Sequence, residues 1–155
     1  MISGGEDCTL FVHYINSEIS ESEMNLKMVE TFDGHLSSIK CLSIFVLLTN
    51  KNSSKYLIFS GGGRAQLKVW EVTVKNDETF SKNSIICKDL LSYMLHGPDK
   101  ERNKVWIGKE LMYNVDPETR YMDISTISYP QKAGSILVCI ACSDGYLRYI
   151  LLSYY

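Results

Sequence analysis

No hydrophobic run in this sequence is long. The two most extended, Ile44–Leu48 and Ile136–Cys142, fall far short of the roughly 20 residues a membrane-spanning helix needs, so no membrane insertion is expected. Excess positive charge is missing too. The net charge is −2 and the isoelectric point near 5.9, whereas a free-standing nucleic-acid-binding domain is usually strongly basic. Any contact with RNA must be local or shared with a partner. The 5 cysteines are an odd number without a framework spacing, which suits a reducing compartment. Met1–Leu10, with Glu6 and Asp7, lacks the basic start and apolar core of a secretory signal. A cytoplasmic location is therefore expected, and the Asn52-Ser53-Ser54 sequon is read as chance.

Catalytic constellations are lacking as well. His13, His35 and His96 are scattered, and none stands beside a serine or cysteine in an activating context. Cys139 and Cys142 have C-x-x-C spacing, but residues three apart on a strand point to opposite faces, and no second pair completes a zinc set. Ser60-Gly61-Gly62-Gly63-Arg64 is followed by a strand pattern, not by the Lys-Ser/Thr and helix of a phosphate loop. No glycine-rich strand-to-helix turn with a following acid offers a methyl-donor site. The expectation is a protein without catalytic residues, cofactor or metal.

Strand signals fill most of what remains. Leu10–Ile15, Ile39–Leu48, Tyr56–Phe59, Leu67–Val74, Tyr121–Ile127, Ile136–Cys142 and Leu147–Leu152 are rich in β-branched and aromatic residues and bounded by Gly, Asn, Asp or Ser. In Ile39–Val46 one side presents Ile39, Cys41 and Phe45 and the other Leu42, Ile44 and Val46, so cover on both faces is expected. Met24, Leu26 and Met28 alternate with Asn25, Lys27 and Val29, the mark of a half-exposed outer strand.

Three segments repeat a strand–turn–strand shape: Ser3-Gly4-Gly5-Glu6-Asp7-Cys8-Thr9-Leu10, Ser60-Gly61-Gly62-Gly63-Arg64-Ala65-Gln66-Leu67 and Cys142-Ser143-Asp144-Gly145-Tyr146-Leu147. Gly34-His35 precedes the second and Trp70-Glu71 follows it. This is the pattern of a WD repeat, the blade unit of a β-propeller. A buried chain His35–Ser60–Trp70 is expected, since the indole N–H needs an acceptor when buried. Asp7 and Asp144 hold the turn position of the same structural network in the flanking segments. Glu71 replaces the usual Asp, and Arg64 stands where the turn Asp belongs.

The intervals between the three segments exceed the about 40–45 residues of a blade, so insertions are expected. The fold class is all-β: a partial WD-repeat propeller of about two and a half blades with a long inter-blade insertion. The chain divides into the end of one blade (1–33), a main blade (34–74), an insertion (75–115) and a partial blade (116–155). Within the insertion, Ile86, Leu90 and Met94, with Leu91 and Leu95, recur at four-residue steps. That predicts a short amphipathic helix around Ile85–His96, stopped by Gly97-Pro98. Lys100, Arg102, Lys104 and Lys109 form a loose basic cluster around Trp106. Basic residues with an interleaved aromatic can bind single-stranded RNA, although Asp99, Glu101 and Glu110 dilute the charge and a solvated loop is the simpler reading.

Four stretches carry a closer likeness: Phe59–Leu67, Leu91–Lys104, Val115-Asp116-Pro117-Glu118-Thr119-Arg120-Tyr121-Met122, and Ala141-Cys142-Ser143-Asp144-Gly145. Together they resemble the C-terminal part of the WD repeat-containing protein 6 family, over nearly the whole chain from Ser3 to Leu152. The resemblance implies a non-catalytic partner of a tRNA ribose 2′-O-methyltransferase acting in the anticodon loop, so the methyltransferase and tRNA are the expected partners. Yeast-like relatives are also tied to endosomal recycling, which keeps a general protein-interaction scaffold without an RNA role as the alternative. Under the first reading, Lys100, Arg102, Lys104, Lys109 and Arg120 are the candidate contacts, because basic side chains position a nucleic-acid backbone without reading its bases.

Overall fold

The computed structural model describes residues 1–16, 25–75, 85–94, 104–107, 110–113 and 119–154. Among them there is no α-helix. Antiparallel strands form three sheets in chain order: β1 (Ile2–Gly4), β2 (Leu10–Asn16) and β3 (Asn25–Phe32); then β4 (Ile39–Thr49), β5 (Ser53–Gly62), β6 (Gln66–Lys75) and β7 (Ile85–Met94); then β10 (Tyr121–Ser128), β11 (Ser135–Cys142) and β12 (Leu147–Ser153). A hairpin of β8 (Lys104–Ile107) and β9 (Glu110–Tyr113) lies between the second and third sheets in the chain.

The sheets stack face to face with the middle one as filling. In β5 and β6, Ile58, Trp70 and Val72 face the first sheet, where they pack with Leu10, Val12 and Phe32. The intervening Leu57, Phe59, Leu67 and Val69 face the third, against Tyr121, Ile124, Ile136, Val138 and Ile140. Period-two alternation with both sets apolar is what a strand buried on both sides requires. Glycine sets the close approach. A Cβ on Gly61 would lie 2.8 Å from Ile124 Cδ1 and 3.1 Å from Tyr121 Cβ, and one on Gly4 would lie 2.8 Å from Ile39 Cγ2. The innermost strands β4 and β10 meet through Ser43 and Thr126, whose hydroxyls are 2.9 Å apart. This is the architecture of a partial WD-repeat β-propeller, with the ring of sheets not closed.

Two expectations need correction. Ile85–Met94 is not a helix but the outer strand β7, paired along β6 from Val74↔Ile85 to Gln66↔Met94. The register slips between Trp70↔Asp89 and Val69↔Leu91, leaving Leu90 as an extra residue. This bulge reverses the face of everything after it. Ile85 and Cys87 pack toward the first sheet and Leu91 toward the third, so the apolar spacing imitates a helical period. The middle sheet thus draws its fourth strand from the stretch read as an insertion.

The second correction concerns β4. Its Cys41–Phe45 side is covered by the third sheet, but Ile44, Val46 and Leu48 are 51%, 56% and 54% exposed. The register of the sheets gives the reason. Gly4↔Leu10 in the first sheet matches Gly61↔Leu67 in the second, so β1 corresponds to β5. Among the described residues nothing occupies the place of β4 in the first sheet. The third sheet shows a similar open surface, with Ile127, Leu147, Tyr149 and Leu151 exposed.

Trp70 joins these layers. It is 4% exposed, stacks on Phe32 with ring centroids 5.2 Å apart, and lies under the Lys68 ammonium at 4.6 Å. Trp70→Ala should destabilise the chain by about 3–5 kcal/mol, the usual loss for a large core aromatic. A loss below about 1 kcal/mol in denaturant unfolding would show that the two sheets do not depend on it.

Candidate functional site

The residues ordinary to a repeat are absorbed by structure. Trp70 Nε1 donates to Ser60 Oγ at 2.9 Å, and the same oxygen lies 2.7 Å from His35 Nε2. All three side chains are buried. With its oxygen occupied by the indole, Ser60 has its own proton to offer, and His35 Nε2 is placed to accept it. His35 Nδ1 at the far end of the ring has no hydrogen-bond partner. Burial lowers the imidazole pKa to about 4, helped by the nearby Lys68 charge and opposed by Gln66 and Asp89. Lys68 itself is buried and held by Asp89 at 2.6 Å. Such a histidine is a fixed neutral strut, not a proton shuttle.

The first hairpin contains a second version of this contact that reading the sequence missed. Ser3 Oγ lies 2.9 Å from His13 Nε2. By register Ser3 stands at the place of Ser60 and His13 at that of Trp70. The signal was available in the spacing, since each lies ten residues after its serine. In the third hairpin the same two places hold Ile140, fully buried, and Ile150, which packs on the core.

Asp7 and Asp144 stand apart from the His35 chain, each in its own exposed turn. Asp7 Oδ1 accepts the Thr9 amide at 3.2 Å, and Asp144 Oδ1 accepts the Tyr146 amide at 3.1 Å. Asp144 also forms a two-pronged pair with Arg148 at 2.9 and 2.6 Å, which holds its carboxyl below the usual range. Glu71, at the usual Asp position, binds Lys55 at 3.2 Å and accepts the Tyr154 hydroxyl, tying the end of the third sheet to the second.

Of the candidate contacts, Lys100, Arg102 and Lys109 lie outside the described residues, and Lys104 begins β8. Arg120 is exposed where the chain enters β10. Its amide donates to Ser143 Oγ and its carbonyl accepts the Ser143 amide, both at 2.9 Å, leaving the guanidinium outside the packing. Cys139 and Cys142 face opposite sides of β11, the first half-buried and the second buried. Among the described residues no group of three His, Cys, Asp or Glu side chains could hold a metal ion, and no helix is long and apolar enough to cross a membrane.

Stacked antiparallel sheets of three and four strands, with a His–Ser–Trp chain in the middle one, define the class: a WD-repeat propeller segment. The chain is a distant relative of the WD repeat-containing protein 6 family. It is 29% identical over 164 aligned positions, 98% of its length, to the mouse protein named tRNA (34-2′-O)-methyltransferase regulator WDR6. It is 31% identical over 126 positions, 76% of its length, to the human protein of that name. The bovine one is 30% identical over 98 positions, 61% of the chain. The chain spans only 14%, 11% and 8% of these three relatives. No protein-family profile matches the chain. No solved structure matches it.

The buried His35 sets an expectation in pH. Unfolded, it titrates near 6.5; folded, near 4. Between those values the unfolded chain binds a proton that the folded one refuses. Stability is therefore complete above about pH 6.5 and falls as the pH drops toward 4, by about 2–3 kcal/mol from this group. Melting temperature measured from pH 7 to 4 should fall more steeply for the native chain than for His35→Asn. Parallel curves would show that His35 is not held neutral by burial.

Proposed function

We propose that this chain is a non-catalytic WD-repeat segment that supports 2′-O-ribose methylation in the tRNA anticodon loop by a partner methyltransferase in the cytoplasm. The observation that carries the reading is the similarity, along 98% of the chain, to a protein named as a regulator of that methylation. The geometry is compatible with it. The repeat residues His35, Ser60 and Trp70 are used up in holding the blade together, and chemistry is left to the partner. The segment's part is to hold tRNA and enzyme in register, which removes an entropic barrier to the reaction. Specific contacts are assigned to Lys100, Arg102, Lys104, Lys109 and Arg120, which lie where the chain departs from a plain blade.

A second reading, a protein-interaction scaffold without RNA, draws on one observation: the exposed apolar side chains Ile127, Leu147, Tyr149 and Leu151 of the third sheet. Contiguous exposed apolar surface commonly marks a protein contact.

Charge reversal separates the two. In cells expressing the triple variant Arg102→Glu, Lys104→Glu, Arg120→Glu at native level, anticodon-loop 2′-O-methylation should fall while the protein stays folded. Mass spectrometry of the tRNA reads the outcome. Normal methylation at normal protein abundance would remove these residues from the reading and favour the scaffold.

A further inference from the structure

The turns that join β1 to β2, β5 to β6 and β11 to β12 share one left-handed position. Cys8, Ala65 and Gly145 occupy one position and all have left-handed backbone, with φ of 65°, 46° and 83°. The residue before each is Asp7, Arg64 and Asp144. In the outer two, the Asp carboxylate caps the amide two residues on. In the middle turn that amide, Gln66 N–H, donates instead to the Gly63 carbonyl. Backbone satisfies the donor, so no acid is required and the side chain at position 64 is released from the turn.

What fills the released position is an exposed arginine with φ of 56°, a conformation that Asp or Asn adopts far more readily. Packing does not explain it, since the side chain is at the surface. Residues kept against local preference tend to mark function. Arg64 also has a neighbour of the same kind. The Ala65 amide donates to the Thr119 carbonyl at 2.9 Å, which places the backbone of Arg64 directly beside that of Arg120. Other cations at this end of the sheets are matched by carboxylates: Lys40 by Glu6, Lys68 by Asp89 and Arg148 by Asp144. Arg64 and Arg120 have no ion pair among the described residues.

We propose that Arg64 and Arg120 together form a phosphate-binding site for an RNA backbone, at the junction of the second and third sheets. Two exposed arginines on neighbouring backbones offer planar, two-pronged donors that match phosphate oxygens. Asp144 does not quench them because Arg148 engages both its oxygens. The inference rests on the tRNA reading above for the choice of RNA. It adds Arg64 to that reading and gives Arg120 a companion.

The test is fluorescence anisotropy of a labelled anticodon stem-loop RNA titrated with the full 155-residue chain across a series of salt concentrations. Arg64→Asp places in the middle turn the residue its siblings carry, so it should fold, as circular dichroism would verify. It should bind roughly threefold to tenfold more weakly near 0.1 M salt, and the slope of log affinity against log salt should shrink by about one. Arg120→Ala should do the same, Arg64→Lys should recover part of the loss, and Lys132→Glu at the opposite end should change nothing. A folded Arg64→Asp chain with native affinity and slope overturns the site and leaves the tRNA reading standing. A native chain that binds no RNA at about 50 mM salt overturns it as well, and the methylation measurement then judges the reading separately. Arginine-dependent capture of a polyglutamate peptide, with RNA binding indifferent to both arginines, overturns it in favour of an acidic protein partner.

Discussion

Two-sided burial of β5 and β6 is the constraint on which everything else depends. A strand that must be apolar toward both neighbours has no face left for polar display, and its few polar groups have to be satisfied in place. Ser60 sits at the centre of that requirement. It is fully buried, and it accepts from Trp70 while meeting His35. Removing either partner would leave a buried polar atom unsatisfied, which costs more than the bond itself contributes. The small residues Gly4 and Gly61 follow from the same constraint, because the next sheet's inner strand lies where their side chains would be.

Comparison of the three hairpins shows one backbone solution met by three side-chain solutions. Ser–His, Ser–Trp–His and Ile–Ile occupy equivalent places, at Ser3 and His13, at Ser60 and Trp70 with His35, and at Ile140 and Ile150. Polar pairs are useful where a ring must be oriented, whereas an apolar pair of suitable volume fills the same space without any hydrogen bond to satisfy. The turns vary independently of this. Asp7 and Asp144 close their turns with a carboxylate, and the middle turn closes with a backbone carbonyl, which leaves Arg64 free to face solvent. Structural work is thus concentrated on the inward positions, and departures from the repeat gather at the turns.

Much of this was legible beforehand. β-branched runs bounded by turn residues marked most of the strands, and the Gly34-His35 to Trp70 spacing marked the buried chain, because both depend on local chemistry. The misreadings have physical causes. Leu90 in β7 is one residue too many for the ladder, and a bulge breaks the period of two on which strand recognition depends. The pairing of Ser3 with His13 was hidden because histidine is not the expected donor at the tryptophan place. The open side of β4, at Ile44, Val46 and Leu48, could not be read from β4 at all. Whether a neighbour covers it is a property of the first sheet. Of the candidate contacts, Arg120 is placed beside Arg64, a juxtaposition that arises only from the third sheet docking on the second.

Hydrogen exchange of the backbone amides tests the central claim most directly. If double-faced burial of the middle sheet organises the fold, the amides of β5 and β6 should be the slowest in the chain and should exchange together, in one cooperative opening. Those of β1 and β12, at sheet edges, should exchange earlier. Rapid exchange of β5 and β6 while β10 to β12 remain protected would contradict the account, since it would mean that the third sheet stands without the middle one.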